Sequence, residues 1–501
     1  MDTSKLKKMA QYIRRQLMDS VSGKIELVLD VNSWERRESI SAVEALEGLI
    51  KEIGKEQVIE KVAYTWFNRF CAMRFMEVNK YTKINIISPI LGQFQPEVLS
   101  EAKMGYIDEN VVSLQNIEKI KGLLNNSITS NNPQSDAYKI LIVSYCNYYH
   151  KLMPFLFERI NDYTELLMPE DLLSGNSVLE YIREALTPDI CKDVEVIGWL
   201  YQYYISEKKE QLDYELKNTK TRKVQKEDMP AKTQLFTPKY IVSYMVENSV
   251  GKLWLESHSD SNLQSKFKYY IESAEQEDNI KEKIEEIINK DLQPQDIKVL
   301  DPACGSGHIL VKAFDVLFEI NKSQGWQDIE IPELILRNNL YGLDICDRAS
   351  QLAQFAVMMK ARKYDKSIFV KISELNICSI KDTNWIDYHV AQELIKGVKD
   401  EKLAKEQIAL LQDTFRDAKE YGSIIDVKDF NFDFWNERIN YFNNLTQTTL
   451  YTPMIRGRLW YNIKQAKIMQ KKYNCVIANP PYLGSNIFDE KLVTYSEKHY
   501  P

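Results

Sequence analysis

The sequence has little of what a metal centre or a disulfide framework needs. Its seven cysteines, at 71, 146, 191, 304, 346, 378 and 475, form no CxxC pair, and its five histidines are equally scattered. Neither set has ligand spacing, so no metal and no disulfide scaffold are expected. No apolar run approaches the roughly 20 residues of a membrane span, and Met1 to Gln16 is charged and helical in pattern rather than signal-like. A cytoplasmic protein that does not enter the membrane is expected. An excess of positive charge is also missing: 65 Lys and Arg stand against 72 Asp and Glu, a net charge of −7. A nucleic-acid binder needs a local basic patch rather than a basic total, so the balance only demands that a patch be found.

At 501 residues the chain should hold two or three domains, each able to bury a core. Residues 1–212 read as an all-helical domain. Ser41–Ile50 and Gln57–Val78 carry apolar residues at helical spacing, and Leu141–Phe157 and Val196–Tyr204 are aromatic-rich helices. Trp66, Phe67, Phe70, Phe75 and Met76 could stack nucleic-acid bases, but their helical recurrence points to core packing. Residues 213–233 form a basic linker. Its Lys220, Arg222, Lys223 and Lys226 suit either a solvated segment or contacts to DNA phosphates.

Residues 234–501 alternate strand and helix, which implies an α/β domain with a parallel sheet. Thr237 is a good N-cap and Pro238 suits the first helical position. Strands are expected at Val299–Asp301, at Leu340–Ile345, at Ser367–Ile372, and at Cys475–Ala478 as a short buried strand. Mixed-charge helical insertions are expected at about 260–292 and 385–471.

Three strand ends carry chemistry. Asp301-Pro302-Ala303-Cys304-Gly305-Ser306-Gly307 joins a strand to a helix through a glycine loop, whose glycines permit a tight turn and a close approach to a ligand. Leu310 stands where a dinucleotide fingerprint has its third glycine, and no Gly-Lys-Ser/Thr follows, so a P-loop is excluded. A carboxylate at Asp301 can meet a cationic amino group, and Asp344 at the next strand end can accept from ribose hydroxyls. A ligand with an amino group, a ribose and no phosphate fits S-adenosylmethionine better than a nicotinamide cofactor. Past the last strand, Asn479-Pro480-Pro481-Tyr482 is held rigid by two prolines that cannot continue the ladder. An amide oxygen, a backbone carbonyl and an aromatic ring together suit a planar amino group.

Asp301–Gly307 and Asn479–Tyr482 resemble motifs I and IV of class I amino-group methyltransferases. Gln234-Leu235-Phe236-Thr237-Pro238 resembles their motif X, and Tyr341–Asp344 their motif II. The order is similar to that of the gamma-group N6-adenine DNA methyltransferases, type I and type IIG included. The flanks and the long helical start most resemble the PglX methyltransferases of BREX phage-defence systems. The resemblance implies a Rossmann-like sheet with S-adenosylmethionine lying across its strand ends. Asp301, Pro302, Ala303, Gly305 and Gly307 would face its methionine half, Asp344 and Ile345 its ribose, and Phe236 and Thr237 would close over the methionine end. It implies a double-stranded DNA substrate with the target adenine flipped out. Asn479 Oδ1 and the Pro480 carbonyl would accept the two N6 hydrogens, and Tyr482 would stack on the base, worth about 1–3 kcal/mol. Glu374 or Asn376, placed just after the third strand, would supply motif III. Type IIG relatives often carry a nuclease at the start, but Glu207-Lys208-Lys209 and Glu215-Leu216-Lys217 fit its Glu-x-Lys pattern only formally, in helical sequence.

Two other readings use the same residues. Asn-Pro-Pro-Tyr also serves methyltransferases of protein glutamine amides, though these are compact and leave the helical start unexplained. A doubly wound domain normally has further strands beyond its switch point. The chain is therefore expected to be an N-terminal portion, whose missing C-terminal half would hold the remaining strands and the target-recognition region. Alone it would then be an inactive DNA- or partner-binding fragment, or a half that needs other phage-defence proteins.

Overall fold

The computed structural model describes residues 3–158, 163–219, 224, 228–233, 237–372, 374–480 and 490–500. The chain divides into two compact units, Met1–Glu207 and Lys208–Pro501, the division falling inside the helix Glu195–Asn218.

Every regular element described in the first unit is a helix. Its core is aromatic: Trp66, Phe67, Phe70, Phe75 and Met76 on the helix Lys55–Val78 are all buried. Burying each such side chain contributes about 1.5–3 kcal/mol, which fixes them as packing rather than as a stacking surface. Trp66 also donates its indole N–H to the Thr164 carbonyl at 3.2 Å. Glu207-Lys208-Lys209 and Glu215-Leu216-Lys217 both lie in the helix Glu195–Asn218, not on strands.

The second unit holds a four-stranded parallel sheet: β1 (Val299–Asp301), β2 (Leu340–Asp344), β3 (Ile377–Ser379) and β4 (Cys475–Val476), in the order β3-β2-β1-β4. Asp301 lies opposite Gly342, and Asp344 opposite Ser379. Val299 pairs with Cys475 and Leu300 with Val476, and the Ile477 N–H extends that ladder to the Leu300 carbonyl at 2.9 Å. One face of the sheet is covered by the helices His308–Ser323 and Asp347–Arg362. A Cβ on Gly342 would stand 2.9 Å from Leu310 of the first of them, so glycine there sets how closely helix and strand pack. The segment read as an insertion covers the other face. Leu300, Tyr341, Leu343 and Cys378 share one core cluster with Leu411, Phe415, Trp435, Leu459 and Ile463 from that segment.

Two strand expectations are corrected. Residues 367–372 are not a strand, because Ile368–Lys371 is a single helical turn. Asp365, fully buried, accepts from the Ser367 N–H (2.7 Å) and hydroxyl (2.6 Å) and from the Lys371 ammonium (2.8 Å), and so closes that turn. The third strand comes later, at Ile377–Ser379. β4 is not wholly buried: Cys475 and Ile477 face inward, but Val476 is 61% exposed on the sheet's outer edge. The first insertion is less helical than expected, with a 3-10 turn at Asn262–Lys266 and one exposed helix, Asp278–Ile287. No helix among the described residues is long and apolar enough to cross a membrane, and none of their acidic, histidine or cysteine groups is arranged to hold a metal ion.

Candidate active site

A parallel register puts every strand's carboxyl end on one edge, and Asp301, Asp344 and Asn479 all lie there. Asp301 is 1% exposed and closes a local turn by accepting the Ala303 N–H at 3.1 Å. It has no cationic partner among the described residues. Burial, with the charge of Asp344 adding to it, pushes its carboxyl up to about 8, against the pull of the Ala303 N–H.

The loop after Asp301 turns through two glycines in the left-handed region, Gly305 at φ 53° and Gly307 at φ 90°. The two differ in their surroundings. A Cβ on Gly307 would come within 2.9 Å of the Ala353 Cα, so this glycine lets the loop lie against the helix Asp347–Arg362. A Cβ on Gly305 would meet nothing within 4 Å, so the loop is open at that point. Gly307 precedes the helix His308–Ser323, as the sequence pattern implies for His308.

Asp344 holds the loop from the neighbouring strand. One oxygen accepts the Gly305 N–H at 2.8 Å and the other the Cys346 N–H at 2.7 Å. Asp344, expected only as a ribose acceptor, makes this clasp across 39 residues, and no local pattern signals it. Burial pushes its carboxyl up to about 6, although both N–H donors and Lys419 favour the charged form. Ile345 is partly buried, and a Cβ on Gly422 would lie 3.3 Å from its side chain, so the turn at Gly422 covers it.

Charges missed from sequence lie beside this edge. Asp347, at the start of the helix Asp347–Arg362, binds Lys381 at 2.7 Å and Lys419 at 3.2 Å. Burial alone would raise its carboxyl, but the two ammonium groups overcome that and hold it well below the usual carboxylate range. Lys381 is fixed in turn by the helix Thr452–Gln470. The Gln465 amide accepts the Lys381 N–H at 2.7 Å and donates to its carbonyl at 2.9 Å. Nothing in sequence spacing announces a side-chain bond 84 residues away.

The segments that resemble motifs X and IV meet here. The Asn479 amide Nδ2–H donates to Thr237 Oγ1 at 2.8 Å, across 242 residues. Thr237 is therefore not the helix cap expected of it: the helix starts at Lys239, Pro238 is the capping position, and no side-chain cap bond forms. Thr237 is buried, Asn479 half-buried and Pro480 exposed.

Glu374 does not join them. It precedes β3 instead of following it, so it lies beyond the opposite edge of the sheet, exposed and 3.4 Å from Lys464. Asn376 is there too, donating to the Arg337 carbonyl at 3.2 Å. The misplaced third strand accounts for both corrections. Pro302 and Ala303 are half-buried in the loop. Phe236, Pro481, Tyr482, Lys220, Arg222, Lys223 and Lys226 lie outside the described residues.

Two family models match this unit: N-6 DNA Methylase over residues 279–392, and Eco57I restriction-modification methylase over residues 338–501. The chain is 36% identical over 486 residues to the adenine-specific methyltransferase BrxX of Escherichia coli O9:H4 (strain HS), an alignment spanning 92% of this chain and 39% of BrxX. The chain is a relative of the N6-adenine methyltransferases. The adenine-specific methyltransferase PglX of Lacticaseibacillus casei (strain Zhang) is 30% identical over 559 residues, covering 100% of this chain and 44% of PglX. The chain thus spans about two fifths of the length of these curated relatives. The N-6 DNA Methylase match contains Asp301, Gly305, Gly307 and Asp344, and the Eco57I match contains Asn479.

Proposed function

We propose that this chain carries the methyl-donor site and the amino-group grip of a site-specific N6-adenine DNA methyltransferase, built on a Rossmann-like class I sheet, in a BREX-type phage-defence system. The observation that carries the reading is the shared edge: a buried Asp301 with no cationic partner among the described residues and its open glycine loop, Asp344, and Asn479 stand at the carboxyl ends of three parallel strands.

S-adenosylmethionine fits the residues on that edge. A buried carboxylate without a cation calls for a positively charged ligand group, and the open side of Gly305 leaves room for a ligand against its backbone. Asp301 would take the amino group, the Gly305 and Gly307 backbone the methionine half, and Asp344, with lone pairs to spare beyond its two N–H donors, the ribose. Bound there, S-adenosylmethionine supplies an electrophilic methyl group. Asn479 Oδ1 and the Pro480 carbonyl accept the two N6 hydrogens of a flipped adenine. That draws the nitrogen lone pair out of conjugation and aims it, and positioning and electrostatics supply most of the rate. Tyr482 would stack on the base and Phe236 would close over the donor.

Protein incubated with labelled S-adenosylmethionine is expected to label the adenine N6 of plasmid DNA. Label passing to glutamine amides of release-factor-like proteins, and not to DNA, would overturn the reading. The two glycines give a second check. Gly307→Ala meets both an unfavourable φ and the Ala353 backbone, and should cost about 2–4 kcal/mol in urea unfolding. Gly305→Ala should cost only about 1 kcal/mol, yet weaken S-adenosylmethionine binding at least about tenfold by calorimetry. Unchanged affinity in Gly305→Ala would place the ligand elsewhere.

A further inference from the structure

We infer that Thr237 is a positioning residue: its hydroxyl holds the Asn479 side chain so that Oδ1, and not Nδ2, is left to receive a substrate amino group. The inference rests on the methyltransferase reading and departs from the motif resemblance, which puts Thr237 over the methionine end of the donor.

A carboxamide is two-faced, with an acceptor oxygen and a donor NH2 on one planar group. A grip on an amino group works only with the oxygen forward, because a donor facing a donor is repulsive. In the structure the NH2 end is engaged, Nδ2–H on Thr237 Oγ1 at 2.8 Å. No partner takes Oδ1 among the described residues. A protein group thus already engages the NH2 end, with Thr237 Oγ1 as acceptor, before any substrate arrives.

The bond is also built on stiff backbone at both ends. Thr237 precedes Pro238 and Asn479 precedes Pro480. A residue before proline is confined to extended backbone conformations, so the backbone that carries each side chain is restricted at both ends of the bond. Thr237 is buried just ahead of the helix Lys239–Val246, and that helix packs on His308–Ser323, which leaves the glycine loop. Asn479 follows the β4 ladder to β1, the strand that ends in Asp301. The hydroxyl thus ties the amino-group grip to the framework of the donor site. A core threonine that only filled space would leave its hydroxyl idle or turned to its own backbone.

Thr237→Val keeps the shape and removes the acceptor, while Thr237→Ser keeps the acceptor. With saturating S-adenosylmethionine and adenine-containing duplex, Thr237→Val is expected to lower kcat about 10- to 100-fold. Its S-adenosylmethionine affinity should stay within about twofold by calorimetry, and Thr237→Ser should remain within about threefold of the parent in both. A readout independent of turnover uses selective 15N-asparagine labelling, with the Asn479 NH2 pair assigned by its loss in Asn479→Ala. That pair should shift and exchange faster in Thr237→Val and stay in place in Thr237→Ser. An unmoved NH2 pair in Thr237→Val overturns the inference. So does a Thr237→Val protein whose donor affinity falls while kcat holds, since the hydroxyl then serves the donor. A parent protein that labels no adenine, yet whose NH2 pair responds as expected, overturns the methyltransferase reading and leaves the Thr237–Asn479 link standing.

Discussion

Asn479→Ala is expected to lower methyl transfer about 10²- to 10³-fold while S-adenosylmethionine affinity stays within about twofold. The magnitude follows from removing one preorganised group from a polarising pair. The Pro480 carbonyl remains as the second acceptor, so the loss should be deep but not complete. The donor site is spared because Asn479 bonds to Thr237 and not to the glycine loop. Asp344→Ala should give the opposite pattern. It removes the clasp on the Gly305 and Cys346 N–H groups as well as an acceptor, so donor affinity should fall first. Single-turnover kinetics with separately measured binding distinguishes the two. Retained turnover in Asn479→Ala would sink the mechanism.

The second large effect is a pH dependence set by Asp301. An ordinary aspartate titrates near 3.9, whereas burial pushes Asp301 up to about 8 in the folded protein. Between those values the folded state holds a proton that the unfolded chain has released. The contribution of Asp301 to stability is therefore fully present below about 4 and is lost as pH rises through about 8. A cationic ligand reverses the sense, because it needs the ionised form. Affinity for S-adenosylmethionine should rise with pH, up to about tenfold per unit, and level off above about 8. Asp301→Asn should abolish that slope and weaken binding about 10- to 150-fold, the loss of a charged hydrogen bond. Calorimetry from pH 6 to 9 on both proteins tests this, and a flat profile in the parent would remove Asp301 from the donor site.

What could be read in the sequence was whatever is written locally. The glycine loop, the acid at the end of β2 and the doubled proline each declare themselves within seven residues, and the structure brings Asp301, Asp344 and Asn479 to one edge. What failed was also local. Ser367–Ile372 has the β-branched look of a strand, but Asp365 collects Ser367 and Lys371 into a helical turn, and β3 at Ile377–Ser379 is too short for any alternation to show. Glu374 was misplaced with it. The Asp344 clasp, the Gln465 hold on Lys381 and the Thr237–Asn479 bond were invisible for another reason. Each joins residues dozens to hundreds apart through one polar atom, and such a pair leaves no periodicity.

The strand order carries a consequence for how this site comes into being. β4 pairs with β1 directly, although Asn474 and Lys298, which bond at the start of that ladder, lie 176 residues apart. At a synthesis rate of roughly 5–20 residues per second, β1 waits about 9–35 s for its neighbour. Through that interval Leu300 and the Asp301 loop border a bare sheet margin, a surface that invites mispairing. Asn479 is then placed by one of the longest closures in the fold, and such closures are slow. The grip proposed at Asn479 should thus assemble after the Asp301 loop, because the strand that leads into it is the last of the four to be made.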